Sequence, residues 1–362
     1  MEKELFALLR LGLGNTETDN ENLSNFILLP TNLWVRLGVI AQEQGVLGVM
    51  LDGIDRLDNA GYGATRELSK KQKLEWIGNV LNGYELRNQH QLAVILNLQQ
   101  RWSESGLRMM VMKGQTMGTY YPNPKHRASG DIDCYLFDGY AKGNEAAKQW
   151  ADNVDEGWYK HSVISYKGET IENHQFFVHT REGKISKQLN QILVDMLKDV
   201  SLDTLSGTAV LMPPPMFNAL FLTYHALAHF LEEGLRLKQI LDWAMFLKRD
   251  ADKVDWKEFY KFCDQFHFRR FADVMTDIAV NHLGVELDIE VITTFSPYTE
   301  KVLHSTFYDK EYVFCTGDGG WKNRFHIVKN LFKYRWKYKE IYQHSILRQL
   351  WLYAAGYVFK SE

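Results

Sequence analysis

Residues 107–137 read LRMMVMKGQTMGTYYPNPKHRASGDIDCYLF, and the rest of the chain is best read outward from them. The stretch opens with an apolar run ending in Met112-Lys113-Gly114. It then passes through a proline-punctuated connection and enters a second apolar run at Asp131-Ile132-Asp133. Side chains alternate across an extended strand, so Asp131 and Asp133 share one face while Ile132 takes the other. Two carboxylates at that spacing repel each other unless a cation sits between them. A divalent ion with oxygen ligands suits the pair, and Mg²⁺ favours one or two carboxylates completed by water and substrate phosphates.

On either side of this stretch the apolar period differs. Residues 1–104 read as helical, with Leu5, Leu8 and Leu9 and then Trp34, Leu37, Ile40 and Ala41 at helical spacing. Gly12-Leu13-Gly14 has no strand before it and no third glycine in register, so it reads as a turn and not a phosphate loop. Residues 70–102 predict one long polar helix with a stripe at Leu74, Ile77, Leu81, Leu92, Ile95 and Leu98. Beyond 107 the pattern predicts strands at 107–112, 131–137, 161–166 and 170–179, and helices at 139–154 and 187–203. Lys167-Gly168-Glu169 is the turn between the last two strands. Met212-Pro213-Pro214-Pro215 marks a boundary, because consecutive prolines exclude a helix interior and a central strand. Amphipathic helices follow. The expectation is an α+β fold: an N-terminal helical region (1–104), a small mixed-sheet core (105–211) and a C-terminal helical domain (212–362).

Lys113-Gly114 followed by Arg127-Ala128-Ser129-Gly130-Asp131-Ile132-Asp133 resembles the signature of the DNA polymerase β-like nucleotidyltransferase superfamily. With Glu172-Asn173-His174 added, the chain is similar to an uncharacterised bacterial nucleotidyltransferase family whose members carry LKG, then R-x-x-GDID, then a carboxylate two residues before a His. The Arg-x-Ser-x-Asp-x-Asp spelling is also similar to the nucleotidyltransferase toxins of abortive-infection systems. In the superfamily the first Gly is followed by Gly or Ser, whereas Gln115 follows it here.

The resemblance implies that the small sheet is a nucleotidyltransferase core. Asp131, Asp133 and Glu172 would be catalytic and would hold two Mg²⁺ ions, or Mn²⁺ in their place, across the triphosphate of ATP or another nucleoside triphosphate. One ion would stabilise the leaving pyrophosphate, and the other would lower the pKa of the attacking hydroxyl. Lys113, Gly114, Arg127 and Ser129 would bind the nucleotide, with Glu169 as the alternative third acid. His174 either orients Glu172, touches phosphate, or is simply satisfied by backbone. His225 and His229 stand at i,i+4, a spacing open to packing, nucleotide contact or metal. The same resemblance turns His229, Arg236 and Asp242 toward the cleft; the alternative is an Arg236–Asp242 pair that keeps two helices in register. The acceptor is open among a small molecule, a sugar, a protein side chain and an RNA end. Two competing readings are a metal-dependent sugar transferase and a non-catalytic nucleotide-binding or regulatory protein that retains the fold.

The bulk numbers constrain partners. With 362 residues, 45% hydrophobic, 24% charged and a net charge of −3, the chain exerts no global pull on nucleic acid. Cys134, Cys263 and Cys315 are scattered without metal or disulfide spacing, which suits a reducing cytoplasm. No secretory leader or membrane span is expected. The Gly-rich Thr316-Gly317-Asp318-Gly319-Gly320-Trp321 reads as a surface loop. Residues 321–344 interleave Lys322, Arg324, Lys329, Lys333, Arg335, Lys337 and Lys339 with aromatics. Such a helix can meet RNA, anionic lipid or an acidic protein, or dock a stripe of Phe325, Val328, Phe332 and Trp336 and leave its cations in water.

Overall fold

The computed structural model describes residues 1–15, 26, 29–61, 67–180, 183–198, 200–290, 292–309 and 328–347. The chain begins with three helices, α1 (Glu2–Gly12), α2 (Thr31–Glu43) and α3 (Leu47–Asn59). Helices α1 and α3 approach through glycine: a Cβ on Gly12 would lie 2.1 Å from the Val49 carbonyl oxygen, and one on Gly53 would lie 2.1 Å from that of Leu8. Neither position has room for a side chain.

The expected helix over 70–102 is two helices, α4 (Lys70–Val80) and α5 (Leu86–Glu104), joined by a π turn at Leu81–Glu85. Its buried seam also differs from the expected one. Leu74, Ile77 and Leu81 are 68%, 45% and 46% exposed, while Trp76, Val80, Tyr84, Asn88, Gln91, Ile95, Leu98 and Trp102 face inward. The Trp76 indole fills the place of a side chain at Gly38 of α2, where a Cβ would come within 2.1 Å of the ring. That contact selects the face. Steps of four residues advance about 400° on a regular α-helix, so the seam 76, 80, 84, 88 would drift; the wider π turn absorbs the surplus.

The sheet contains β1 (Met109–Val111), β2 (Ile132–Leu136), β3 (Asn153–Asp155), β4 (His161–Tyr166) and β5 (Glu169–His174), in the order β1-β2-β5-β4-β3. Among these described strands, β2 and β5 are the parallel pair and the other neighbours are antiparallel. Between β1 and β2 lie a short helix α6 (Gln115–Gly118) and a 3₁₀ turn at Pro124–His126; α7 (Tyr140–Ala147) follows β2. The expected helix over 139–154 stops early because residues 153–155 pair with β4. Lys167 and Gly168 both take positive φ (51° and 77°), the geometry of a two-residue type I′ hairpin between β4 and β5. Strand β5 ends at His174, short of the expected 179, because the N–H groups of Gln175 and Phe176 both turn back to the Lys160 carbonyl.

Helix α8 (Lys184–Asp195) precedes the prolines, and Pro215 opens α9 (Pro215–Glu232) at the position where a missing N–H costs nothing. Then come α10 (Leu237–Asp250), α11 (Trp256–Gln265), α12 (Arg269–Asp277) and α13 (Thr299–Tyr308). Trp243, Phe246 and Phe259 stack in their core. The architecture is α+β, with helices around a five-stranded mixed sheet. Among the described residues no helix is long and apolar enough to cross a membrane.

The basic tail docks differently from the expected stripe. Val328 and Phe332 are exposed, while Leu331, Tyr334, Lys337, Tyr338 and Ile341 are buried; Phe325, Lys322 and Arg324 lie outside the described residues, as do the Gly-rich loop and Cys315. Lys337 donates to the Phe230 carbonyl at 3.1 Å and sits over the Phe230 and Tyr334 rings. Burial pushes its pKa down to about 8. One expected surface cation is thus part of the core.

The connection between β1 and β2 is clamped from both sides by buried polar groups. From α10, Asp242 takes a bidentate pair from Arg127 (2.8 and 2.7 Å) and a bond from the Tyr121 hydroxyl (2.7 Å), and Asp250 accepts from the Tyr120 hydroxyl (2.5 Å). From α5, Asn88 donates to the carbonyls of Lys125 and Arg127, and Gln91 donates to the Gly130 carbonyl and the Glu169 carboxylate. Two outcomes follow. Gly53→Ala should lower stability by about 1–3 kcal/mol through overpacking, read from thermal or denaturant unfolding. Arg127→Ala should cost about 3–5 kcal/mol because it strands a buried carboxylate, whereas the double change Arg127→Met with Asp242→Leu should recover most of that loss. Equal stability of the Arg127→Ala variant and the wild type would remove the clamp from the account.

Candidate active site

The centre of the site is the parallel pair β2 and β5. Their register sets Asp133 opposite Glu172, with Ile132 opposite Ile171 and Cys134 opposite Asn173. The two carboxylates therefore project from the same face of adjacent strands. Asp131 enters that face one alternation earlier and is exposed. Partial desolvation by the surrounding chain, followed by repulsion from Glu172 and Asp133, raises its pKa.

Asp133 is only 2% exposed, and its charge is held by two partners. Burial alone would raise its pKa, but Lys113 Nζ at 3.1 Å and His174 Nε2 at 3.2 Å hold it well below the usual carboxylate range. Glu172, at the edge of solvent, is likewise lowered: the His174 contact at 3.2 Å outweighs burial and the repulsion from Asp133. His174 is fully buried between them, and the two carboxylates raise its pKa against the opposing effect of burial. His161, paired across the hairpin with His174, is pushed down to about 4 by burial and is neutral at ordinary pH.

Lys113 also reaches back to the helices. Its ammonium lies 2.8 Å from His225 Nε2, His225 Nε2 lies 3.0 Å from His229 Nε2, and His229 Nδ1 lies 2.9 Å from Glu233. Burial and the Lys113 charge push the His225 pKa well down, so its Nε2 accepts from the lysine. The i,i+4 histidines thus continue a polar chain that starts at Asp133.

Lys113 and His174 contact Asp133, His174 also contacts Glu172, and His229 joins the chain through His225, while Asp131 is coupled to Asp133 and Glu172 by their charges. Gly114 takes φ 68° at the end of β1, and a side chain there would meet nothing within 4 Å, so its backbone lies open. Ser129 places its hydroxyl in a buried position with no hydrogen-bond partner. Arg127 and Asp242, expected at the phosphates and in the cleft, are turned on each other. Arg236 stands exposed at the start of α10, where its N–H meets Gln239, and it makes no pair with Asp242. The Arg–Asp pairing thus exists with a different arginine, because the partner is selected by packing of the β1–β2 connection on α10. Glu169, the alternative third acid, is buried and engaged by Gln91 and, at 3.7 Å, by Arg87.

Two lysines join the site without a distinctive signal in the sequence. Lys160 precedes β4; burial lowers its pKa, with the Lys113 charge adding to the effect and Glu172 and Asp133 opposing it. Lys238, near the start of α10, places Nζ 3.8 Å from where a Gly130 Cβ would be, and burial together with Arg127 pushes its pKa down to about 8. Among the described residues neither lysine makes an ion pair. A half-buried ammonium without a counter-ion, beside the backbone that leads into Asp131, is a ready contact for an anionic ligand. Elsewhere, His179, Tyr224, Glu232, Tyr338 and Tyr342 line a cavity walled by α9 and the tail.

Chemically, this face combines three carboxylates, which suit a divalent cation, with unpaired cations, which suit phosphate. A family model described as an uncharacterised nucleotidyltransferase matches residues 30–284, which is more than half of the chain and includes every site residue named here except Tyr338 and Tyr342. No curated protein and no solved structure matches the chain. The extent of that match establishes that the chain belongs to the family of uncharacterised nucleotidyltransferases.

Proposed function

We propose that this protein is a divalent-metal-dependent nucleotidyltransferase of the DNA polymerase β-like type, which moves a nucleoside monophosphate from a nucleoside triphosphate to a hydroxyl of an acceptor. The observation that carries this reading is the Asp133–Glu172 register on parallel strands, with Asp131 on the same face and unpaired lysines beside it. The chemistry of the donors fits the metal ions this reaction uses: Asp133 and Glu172 stand opposite each other on adjacent strands with Asp131 on the same face, and the buried Ser129 hydroxyl lacks a partner. Asp131, Asp133 and Glu172 are the residues that would hold them, with Mg²⁺ the expected ion. When bound, such ions neutralise the triphosphate and lower the pKa of the acceptor hydroxyl.

The chain's own residues have separable tasks. Lys113 holds Asp133 ionised and stays within reach of a phosphate oxygen at the end of β1. Lys238, beside Gly130, and Lys160, coupled to the charges of Glu172 and Asp133, supply positive charge to the polyphosphate. Arg127 and Asp242 act as positioning residues, because their pair fixes the connection that delivers Asp131. His174 stands against both Asp133 and Glu172 through one ring nitrogen.

Asp133→Asn and Asp131→Asn should each lower transfer by about 10³-fold or more, the scale of several kcal/mol of charge stabilisation; Asp131→Asn, at an exposed position, should keep the wild-type melting temperature, whereas Asp133→Asn, buried against Lys113 and His174, should lower it. The assay is pyrophosphate release with each nucleoside triphosphate in turn, followed by mass shift of candidate acceptors. Wild-type rates in the Asp133→Asn protein would sink the assignment, and use of a nucleotide-sugar in place of a triphosphate would redirect it. A pH profile tests Lys238 separately. Its ammonium is present below about pH 8 and lost above it, so KM for the triphosphate should rise as pH climbs through that range. In Lys238→Met the KM should be higher throughout and that inflection should vanish.

A further inference from the structure

Strands β4 and β5 carry a second set of donors onto the carboxylate face, and its chemistry differs from that of oxygen ligands alone. His161 and His174 are directly paired across the hairpin, and Glu172 shares the face of His174. His161 Nδ1 lies 3.2 Å from Glu172 Oε2, and His174 Nε2 lies 3.2 Å from that same oxygen and 3.2 Å from Asp133 Oδ1. Among the described residues, His161, Glu172 and His174 are the one group of three such side chains whose ligand atoms all fall within 4.8 Å of one another.

The hydrogens do not fit a purely hydrogen-bonded cluster. His174 Nδ1 is 3.1 Å from the Phe176 carbonyl oxygen, which only accepts, so Nδ1 carries the ring hydrogen. In the neutral ring, Nε2 then turns a lone pair toward two carboxylate oxygens. A second proton on His174 would satisfy that nitrogen but would do nothing for His161, whose buried Nδ1 makes no hydrogen bond despite its nearness to Glu172. A single cation between the two ring nitrogens and Glu172 Oε2 satisfies both rings at once. Both imidazole-to-carboxylate separations of 3.2 Å agree, since ligand bonds of about 2.0–2.1 Å in a tetrahedral site set neighbouring donors about 3.3 Å apart. The Phe176 carbonyl behind His174 is the usual outer partner of a metal-bound imidazole.

We propose that His161, Glu172 and His174 form a site for a borderline divalent ion of the zinc and cobalt class, one that Mg²⁺ does not fill, with water or a ligand completing the coordination. Two imidazoles and one carboxylate suit Zn²⁺ or Co²⁺, whereas Mg²⁺ selects oxygen and water. Asp133 stays with Lys113 and balances the charge of the site from beside it. The inference rests on reading this face as a metal centre and deepens it by naming the ion class, yet it stands on binding and not on turnover.

The test is titration of chelator-treated, full-length protein with Co²⁺ alone, without nucleotide, followed by visible absorption and by calorimetry. One Co²⁺ per chain should bind with the intense visible band of a low-coordinate site, Zn²⁺ should displace it, and a large excess of Mg²⁺ should not. His161→Ala, checked for its melting temperature, should weaken Co²⁺ binding by more than about 100-fold, beyond the loss typical of an outer partner. Asp131→Asn should bind Co²⁺ as the wild type does while losing transfer, so a failure of the functional reading and a failure of this one are told apart. Absence of the band, displacement by Mg²⁺, or wild-type affinity in His161→Ala would each overturn the site.

Discussion

The structure depends on the burial of an ionised carboxylate, Asp133, inside the sheet. A charged oxygen with almost no solvent is tolerated only when opposite charge and hydrogen bonds replace the lost water. Lys113 from the end of β1 and His174 from the end of β5 do this from two sides. Neither partner could reach Asp133 unless β1 and β5 flanked β2, so the strand order and the charge arrangement require each other. The same constraint places Glu172 beside Asp133, since the register that delivers His174 also aligns Glu172 with it.

The helices serve this arrangement more directly than a supporting platform would. Helix α5 turns Asn88 and Gln91, both buried, onto the backbone of the β1–β2 connection, and α10 turns Asp242 and Asp250 onto its side chains. A connection this long has many backbone groups to satisfy once it is covered. Gripped on both flanks, it becomes a rigid part of the site and carries Ser129 and Gly130 to the threshold of Asp131 at a set height. Lys238 arrives by the same route, on the helix whose later turn holds Arg127.

Much of the site was legible because strand alternation is a local rule. Asp131 with Asp133, and Glu172 with His174, share faces by spacing alone, and the proline cluster announced α9. What misled was periodicity in the helices. The stripe Leu74, Ile77 and Leu81 is regular but points outward, because Trp76 finds a glycine to pack on and a π turn carries the seam past it. Likewise Lys337 looks like a surface cation among many, yet its ammonium meets a helix-end carbonyl and two aromatic faces that only the packed helices supply.

The amino-acid order by itself determined the fold class and the shared faces of Asp131 with Asp133 and of Glu172 with His174, since helical period and strand alternation act over a few neighbouring positions. Tertiary structure alone decided that Arg127 pairs with Asp242, that Lys160 and Lys238 make no ion pair among the described residues, and that His161 meets Glu172 and His174. The reason is physical: alternation and helical period fix which way a side chain points within its own element, whereas its partner is chosen by the register and packing of elements far apart in the chain, where burial sets the energetic weight of every charge.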